Sequence, residues 1–167
     1  MLPKPREHRL VDFSGSVQPV RGVELFGEWA GSLLDLNRIS VADTGDDLGR
    51  AYLAALRVEP QQIPRIGQLS GGFSIRSTGE NFRAFDRSRP VEFARLWNIS
   101  PRAGSSSVLE GTEAERISGA NLDLQFSRTS KLSAEWGEAA IGPSFEAERR
   151  GANLTIAEPR LPGLSYR

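Results

Sequence analysis

Apolar residues fall on every second position along much of this chain. The pattern is sharpest between Asn121 and Ile156, where Leu122, Leu124 and Phe126, then Leu132, Ala134 and Trp136, then Phe145 and Ala147, then Ala152, Leu154 and Ile156 alternate with polar neighbours. A period of two puts such residues on one face of a strand, as a sheet with one buried face requires. The intervening stretches are too short for parallel crossovers, so the strands are expected to pair antiparallel, with turns near Thr129 and Gly151.

The same reading extends upstream. Leu10 to Val17 predicts a short strand, and Gly22 to Ala30 a stronger one, with Val23, Leu25, Gly27 and Trp29 on one face and Glu24, Phe26 and Glu28 on the other. Leu33 to Val41 reads as a strand end entering a loop. Leu48 to Val58 fits either period: Leu48, Tyr52, Ala55 and Leu56 would line a helix, while Tyr52, Ala54, Leu56 and Val58 alternate as a strand, the better match to its neighbours. Pro60 and Pro64 close that element. Leu69, Gly71, Phe73 and Ile75 alternate cleanly. Between Phe82 and Trp97, four aromatic residues are spaced by Arg83, Arg87, Arg89 and Arg95, which suits either a short helix begun by Ser88 and Pro90 or a loop strapped across the sheet. The expected fold is therefore all-β: one antiparallel domain of hairpins over residues 10–156, a sandwich or an open barrel-like sheet, with a linker at 101–107. Extended arms are expected at 1–9 and 157–167. Gly119-Ala120-Asn121-Leu122 recurs as Gly151-Ala152-Asn153-Leu154, an echo that would mark equivalent strand starts.

Composition narrows the function. Lys+Arg and Asp+Glu stand at 21 each, and a net charge of zero gives no electrostatic footprint for nucleic acid. Cysteine is absent, which removes thiolate catalysis, thiolate metal sites and disulfides. His8 is the sole histidine, so a histidine-based triad or metal site has no second member. No glycine-rich phosphate loop is present. Asp43, Asp46 and Asp47 form an acidic turn without the spacing of a calcium loop. No apolar run reaches the 18 residues of a spanning helix and no secretory signal is visible. From this, no catalytic residue, cofactor or metal is expected, and no transmembrane segment of the chain's own.

Two resemblances carry further expectations. Asp43-Thr44-Gly45 after Val41-Ala42 resembles the active-site turn of retroviral-type aspartic proteases, and Leu69-Ser70-Gly71-Gly72-Phe73 resembles their flap; this implies a homodimer sharing one Asp43 from each subunit. The brace segment of that family is missing. Glu28-Trp29 through Asp35-Leu36-Asn37, Asp43, Asp46-Asp47 and Gly49, then Phe82, Arg87, Arg89, Glu92-Phe93, Arg95 and Trp97-Asn98 resemble the strand-rich modules of large bacterial outer-membrane and surface proteins. This second likeness implies a non-catalytic β structure of the cell envelope, on its periplasmic or surface side.

The leading expectation is a non-enzymatic structural or accessory subunit of a membrane-associated, hetero-oligomeric complex. Its contacts with other chains would be made by Phe82, Phe93, Trp97, Leu161, Leu164 and Tyr166, since aromatic residues are enriched at binding hot spots. The alternatives are the Asp43 protease and a carbohydrate- or small-ligand-binding domain stacking on Trp29, Trp97 or Trp136.

Overall fold

A computed structural model describes residues 7–35, 48–85, 89, 92–99 and 113–157, and residues 164–166 for their backbone alone. The strands are β1 (Glu7–Val20), β2 (Val23–Asp35), β3 (Leu48–Ile63), β4 (Gly67–Thr78), β5 (Glu115–Gln125), β6 (Lys131–Ile141), β7 (Phe145–Ile156) and β8 (Leu164–Tyr166), with one short helix, α1 (Phe93–Leu96), before β5. They form a single antiparallel sheet whose spatial order is the chain order, β1 to β8. The all-β antiparallel architecture is thus as the alternation predicts, and the sheet is open. Leu48–Ile63 is a strand, paired on both sides through Trp29↔Tyr52 and Leu56↔Phe73. At 11 to 16 residues, β1 to β7 are about twice the usual strand length. β1 begins inside the expected N-terminal arm, and β8 pairs with β7 inside the expected tail.

The connections differ between the two ends of the sheet. At one end, here the turn end, Arg21–Gly22 and residues 64–66, 126–130 and 157–163 join the strands; at the other, the loop end, residues 36–47, 79–114 and 142–144 do so. Gly22 takes φ 79° in the first turn and Gly142 φ 57° in the last hairpin, a conformation that suits glycine. The hairpin turn before β7 lies at 142–144, and the expected turn at Gly151 is corrected: Gly151 sits mid-strand opposite Glu135. The reason is a change of face within β7. Phe145 and Ala147 pack to one side, whereas Ala152, Leu154 and Ile156 point to the other, and the break in phase at Arg149–Arg150 imitates a turn.

Buried apolar residues are few. Among the described residues, Phe93, Trp97 and Ile99 pack with Ala139 and Ile141 in one cluster, supported by Ile117, Phe145 and Ala147. This cluster lies at the loop end of β5 to β7, between the sheet and a strap whose described residues are 79–85, 89 and 92–99. No second sheet covers the rest, so among the described residues the fold is not a sandwich.

Candidate membrane-facing surface

Register partners share a face of the sheet, so the pairing assigns every strand residue to one side. Phe13, Trp29, Tyr52, Ser77, Arg116, Ala140 and Glu146 form one row from β1 to β7; Val17, Leu25, Leu56, Phe73, Ala120, Trp136 and Arg150 form another, nearer the turn end. On this side the apolar positions make one band. It runs over Val11 to Val17 on β1, Val23 to Leu33 on β2, Tyr52 to Val58 on β3, Leu69 to Ile75 on β4, Ala120 to Leu124 on β5, Leu132 to Trp136 on β6 and Ala152 to Ile156 on β7. The expectation that this face is buried is overturned: Phe13 is 66% exposed, Val11 53% and Tyr52 49%, and Leu25, Trp29, Phe73 and Leu122 are exposed with them. An apolar surface of this extent is uncommon on a monomer in water.

The band is slanted. Its loop-end margin falls from Val11 on β1 to Ala152 on β7, which the register counts as eight residues over six strand-to-strand steps. At about 3.3 Å per residue and about 4.8 Å per strand, this corresponds to a strand tilt of about 40°, the tilt of strands that cross a bilayer in a barrel. On β2 the band spans Val23 to Leu33, a height of about 25 Å when projected at that tilt, and it narrows to about 10 Å over Ala120–Leu124, Leu132–Trp136 and Ala152–Ile156 on β5 to β7. Charged side chains begin at its margin with Arg116, Glu138, Glu146, Glu148 and Arg150. At the boundary the indole Nε1–H of Trp136 donates to Glu148 Oε1 at 2.7 Å, and Arg150 Nε donates to the same oxygen at 2.8 Å. An amphipathic ring with its polar tip turned to a charged rim is the arrangement found at a membrane–water interface. Phe13 and Trp29 stack 6.1 Å apart in the outer row. Arg50 stands near the loop-end margin opposite Gly31, where its long stem can carry the charge to the rim.

Where the strap leaves it open, the opposite face is mostly polar: Asp12 and Ser14 on β1, Glu28 on β2, Arg57 on β3, Ser70 and Ser74 on β4, Asn121 and Asp123 on β5, Glu135 on β6, Asn153 on β7, with Phe26 and Ala55 as the apolar exceptions on β2 and β3. A concavity of ≈ 680 Å³ runs over Arg57, Ser74, Gly119, Asn121, Glu135 and Arg149. The strap is fastened at three places. Its first part lies on β1 to β3, where Arg83 N–H donates to Ser32 Oγ at 2.8 Å, His8 Nε2 lies 2.9 Å from the Arg83 carbonyl, and the His8 ring meets Phe85 at 4.2 Å. In the middle, Glu115, only 4% exposed, receives Arg76 at 2.6 Å and Arg89 at 2.6 Å. At the far end Phe93, under the Arg89 guanidinium at 4.7 Å, and Trp97, under that of Arg149 at 5.4 Å, bury themselves on β5 to β7. Among the apolar residues of this face, Ile117, Ala139, Ile141, Phe145 and Ala147 pack with Phe93 and Trp97 of the strap, Leu10, Ala30 and Leu53 lie beside Phe82 and Phe85, and Phe26 and Ala55 stand clear of it.

Gly49 sets how closely the strap approaches, because a Cβ there would collide with the backbone of Asn81 and Phe82. Gly49→Ala is expected to cost about 1–3 kcal/mol, as overpacking does. Gly27→Ala, with nothing within 4 Å of its Cβ, is expected to shift stability by less than about 1 kcal/mol. Urea midpoints of the two variants in detergent check the difference.

Of the expected partner-contact residues, Phe93 and Trp97 are occupied within the chain's own core, and Phe82 is half-buried over β3. Leu164 and Tyr166 pair with Ile156 and Leu154 through their backbone; Leu161 lies outside the described residues. Asp43, Asp46 and Asp47 also lie outside them, and the stretch read as a flap, Leu69–Phe73, is a central strand held by β3 and β5. Trp97 is too deeply buried to be a stacking platform, while Trp29 and Trp136 lie on the apolar band. Among the described residues no group of three or more His, Cys, Asp or Glu is placed to hold a metal. The band itself was signalled by the alternation and read with the wrong sign, as buried residues. No helix among the described residues is long and apolar enough to cross a membrane. No protein-family model, curated protein or solved structure matches the chain.

Proposed function

We propose that this chain is a non-enzymatic, structural sector of a membrane-embedded β-barrel wall, with the apolar band toward lipid and the polar, strap-bearing face toward an aqueous lumen. The observation that carries this reading is the slanted, exposed apolar band: its tilt, and its height on β2, are those of a barrel crossing a bilayer, and a charged rim follows its loop-end margin. The inverse alternation, apolar outward and polar inward, belongs to such barrels and is rare on soluble sheets. Two of the loop-end connections, residues 36–47 and 79–114, are longer than any at the turn end, as in the same architecture. The proposal carries over the expected structural role at the cell envelope. It departs from the expectation that the chain has no spanning segment, because that expectation weighed only helices.

The three tryptophans provide the test. Single-tryptophan variants refolded into vesicles of brominated lipid are expected to show strong quenching for Trp29 and Trp136 and weak quenching for Trp97, which the strap buries on the other face. Equal quenching of all three, or none for Trp29, would refute the lipid-facing assignment; protection of Trp29 only when a second protein is added would return the band to a protein partner.

A further inference from the structure

We infer that the free edge of β1 is completed by a strand supplied from outside the described residues, so that the sheet is one sector of a barrel with more than eight strands. This rests on the membrane reading above and names the partner it requires. β1 is 14 residues long and, among the described residues, pairs only with β2. Its outward residues Val11, Phe13 and Val17 stand in the apolar band, so the N–H and C=O groups of its other edge lie at the depth of the hydrocarbon. Lipid tails offer those groups no hydrogen bond, and open sheet edges do not persist there.

The sheet cannot meet this need itself. Among the described residues β8 offers three residues, Leu164–Tyr166, against the 14 of β1. Closing eight strands would also leave an interior just wide enough for side chains, whereas this face carries the strap with Phe82, Phe93 and Trp97 and a further concavity of ≈ 680 Å³. A second copy fails as well. Its β8 would leave most of β1 unpaired, and β1 against β1 would invert one sheet, setting the loop end of one copy beside the turn end of the other.

The geometry defines the missing strand's chemistry. It runs antiparallel to β1, from turn end to loop end, and is long enough to span, about 9–11 residues. Apolar side chains stand beside Val11, Phe13 and Val17, and polar ones beside Asp12, Ser14 and Ser16. Asp12 has Ala30 as its β2 partner and no ion pair among the described residues, so a lysine or arginine beside it would complement its charge.

The experiment is amide exchange on the chain refolded into vesicles, with a synthetic peptide of the β2 sequence Val23–Asp35 carrying Ala30→Lys as the probe strand. Without the peptide, β1 amides are expected to exchange at least about tenfold faster than those of β4; with it, they slow toward the β4 rates, and a scrambled peptide has no effect. Protection of β1 equal to that of β4 in the monomeric, peptide-free chain would overturn the inference, as would failure of the peptide to protect it. Disulfide capture between two Val11→Cys copies would replace the outside strand with a second copy. Trp29 quenching by brominated lipid, read in the same sample, separates the two ideas: quenching with a protected lone β1 removes only the missing strand, and no quenching removes both.

Discussion

Leu25→Arg is expected to weaken folding into a bilayer by about 2–4 kcal/mol, the cost of arginine at mid-membrane depth on a barrel's outer face. That corresponds to a loss of about 30-fold to several hundred-fold in the folded, inserted population. Leu25 lies in the middle of the band, flanked by Val17 on β1 and Leu56 on β3, with no nearby charge to pair an added guanidinium. Ser74→Arg supplies the control. Ser74 faces the polar side opposite Ala55 and Gly119, where a Cβ at Gly119 would meet nothing closer than 3.4 Å, so an arginine has room and water. Urea titrations of both variants in vesicles are expected to show a large shift for Leu25→Arg and a small one for Ser74→Arg. Equal shifts would mean that the two faces do not differ in solvent, and the proposed function would fall.

Glu115→Gln is expected to destabilise the folded chain by about 3–5 kcal/mol, the usual result of removing one member of a buried ion cluster and leaving its partners uncompensated. The Glu115 side chain is 3% exposed and the Arg89 side chain 11%, so the Arg89 guanidinium cannot recover its hydration without moving the strap. Arg76 is more open, at 26%, and is expected to rehydrate more readily. The paired change Glu115→Gln with Arg89→Met removes the more buried of the two cations that face Glu115 together with the carboxylate, and is expected to restore part of the loss. The measurement is the unfolding free energy of both variants, with Trp97 fluorescence reporting the strap. If Glu115→Gln proved neutral, the cluster would be solvated and the strap would rest on Phe93 and Trp97 alone.

Much of the fold was legible in the chain because period-two alternation needs only local information. It identified β2, β4, β5 and β6 and tipped Leu48–Val58 toward strand. What alternation cannot supply is the solvent on each side. Leu122, Leu124, Leu132 and Trp136 carry the same pattern whether they face a core or a lipid bilayer, and the soluble prior makes them core. The charges hold the missing information, but only after register is known: Arg116, Glu138, Glu146 and Arg150 are scattered in sequence and become a rim once β5, β6 and β7 are aligned. Phe82 to Trp97 reads as either a strap or a short helix; the described residues show a helix at Phe93–Leu96 preceded by Glu92, while the expected start at Ser88 and Pro90 lies outside them. Its residues were legible as anchors, but that they anchor to this chain's own sheet depends on Ala139, Ile141 and Ala147, some forty residues further on. The β7 error has the same origin, since Phe145 and Ala147 serve the strap while Ala152 and Leu154 serve the band.

Because strand order follows chain order, hairpins can add one after another, each closing a short loop at small entropic cost. The strap breaks that sequence. Phe93 and Trp97 are synthesised before β5 yet find their resting place only when β6 and β7 stand beside it, so two large aromatic side chains must wait unburied while half the sheet assembles. The locking of the strap is therefore a late event in maturation, and until it occurs Ile117, Ala139 and Ile141 remain open to water on the face that is otherwise polar. A chain halted before β7 would carry adhesive surfaces on both sides of its sheet, the exposed apolar band on one and the uncovered strap site on the other, and would be an expected client of the chaperones that shield such surfaces.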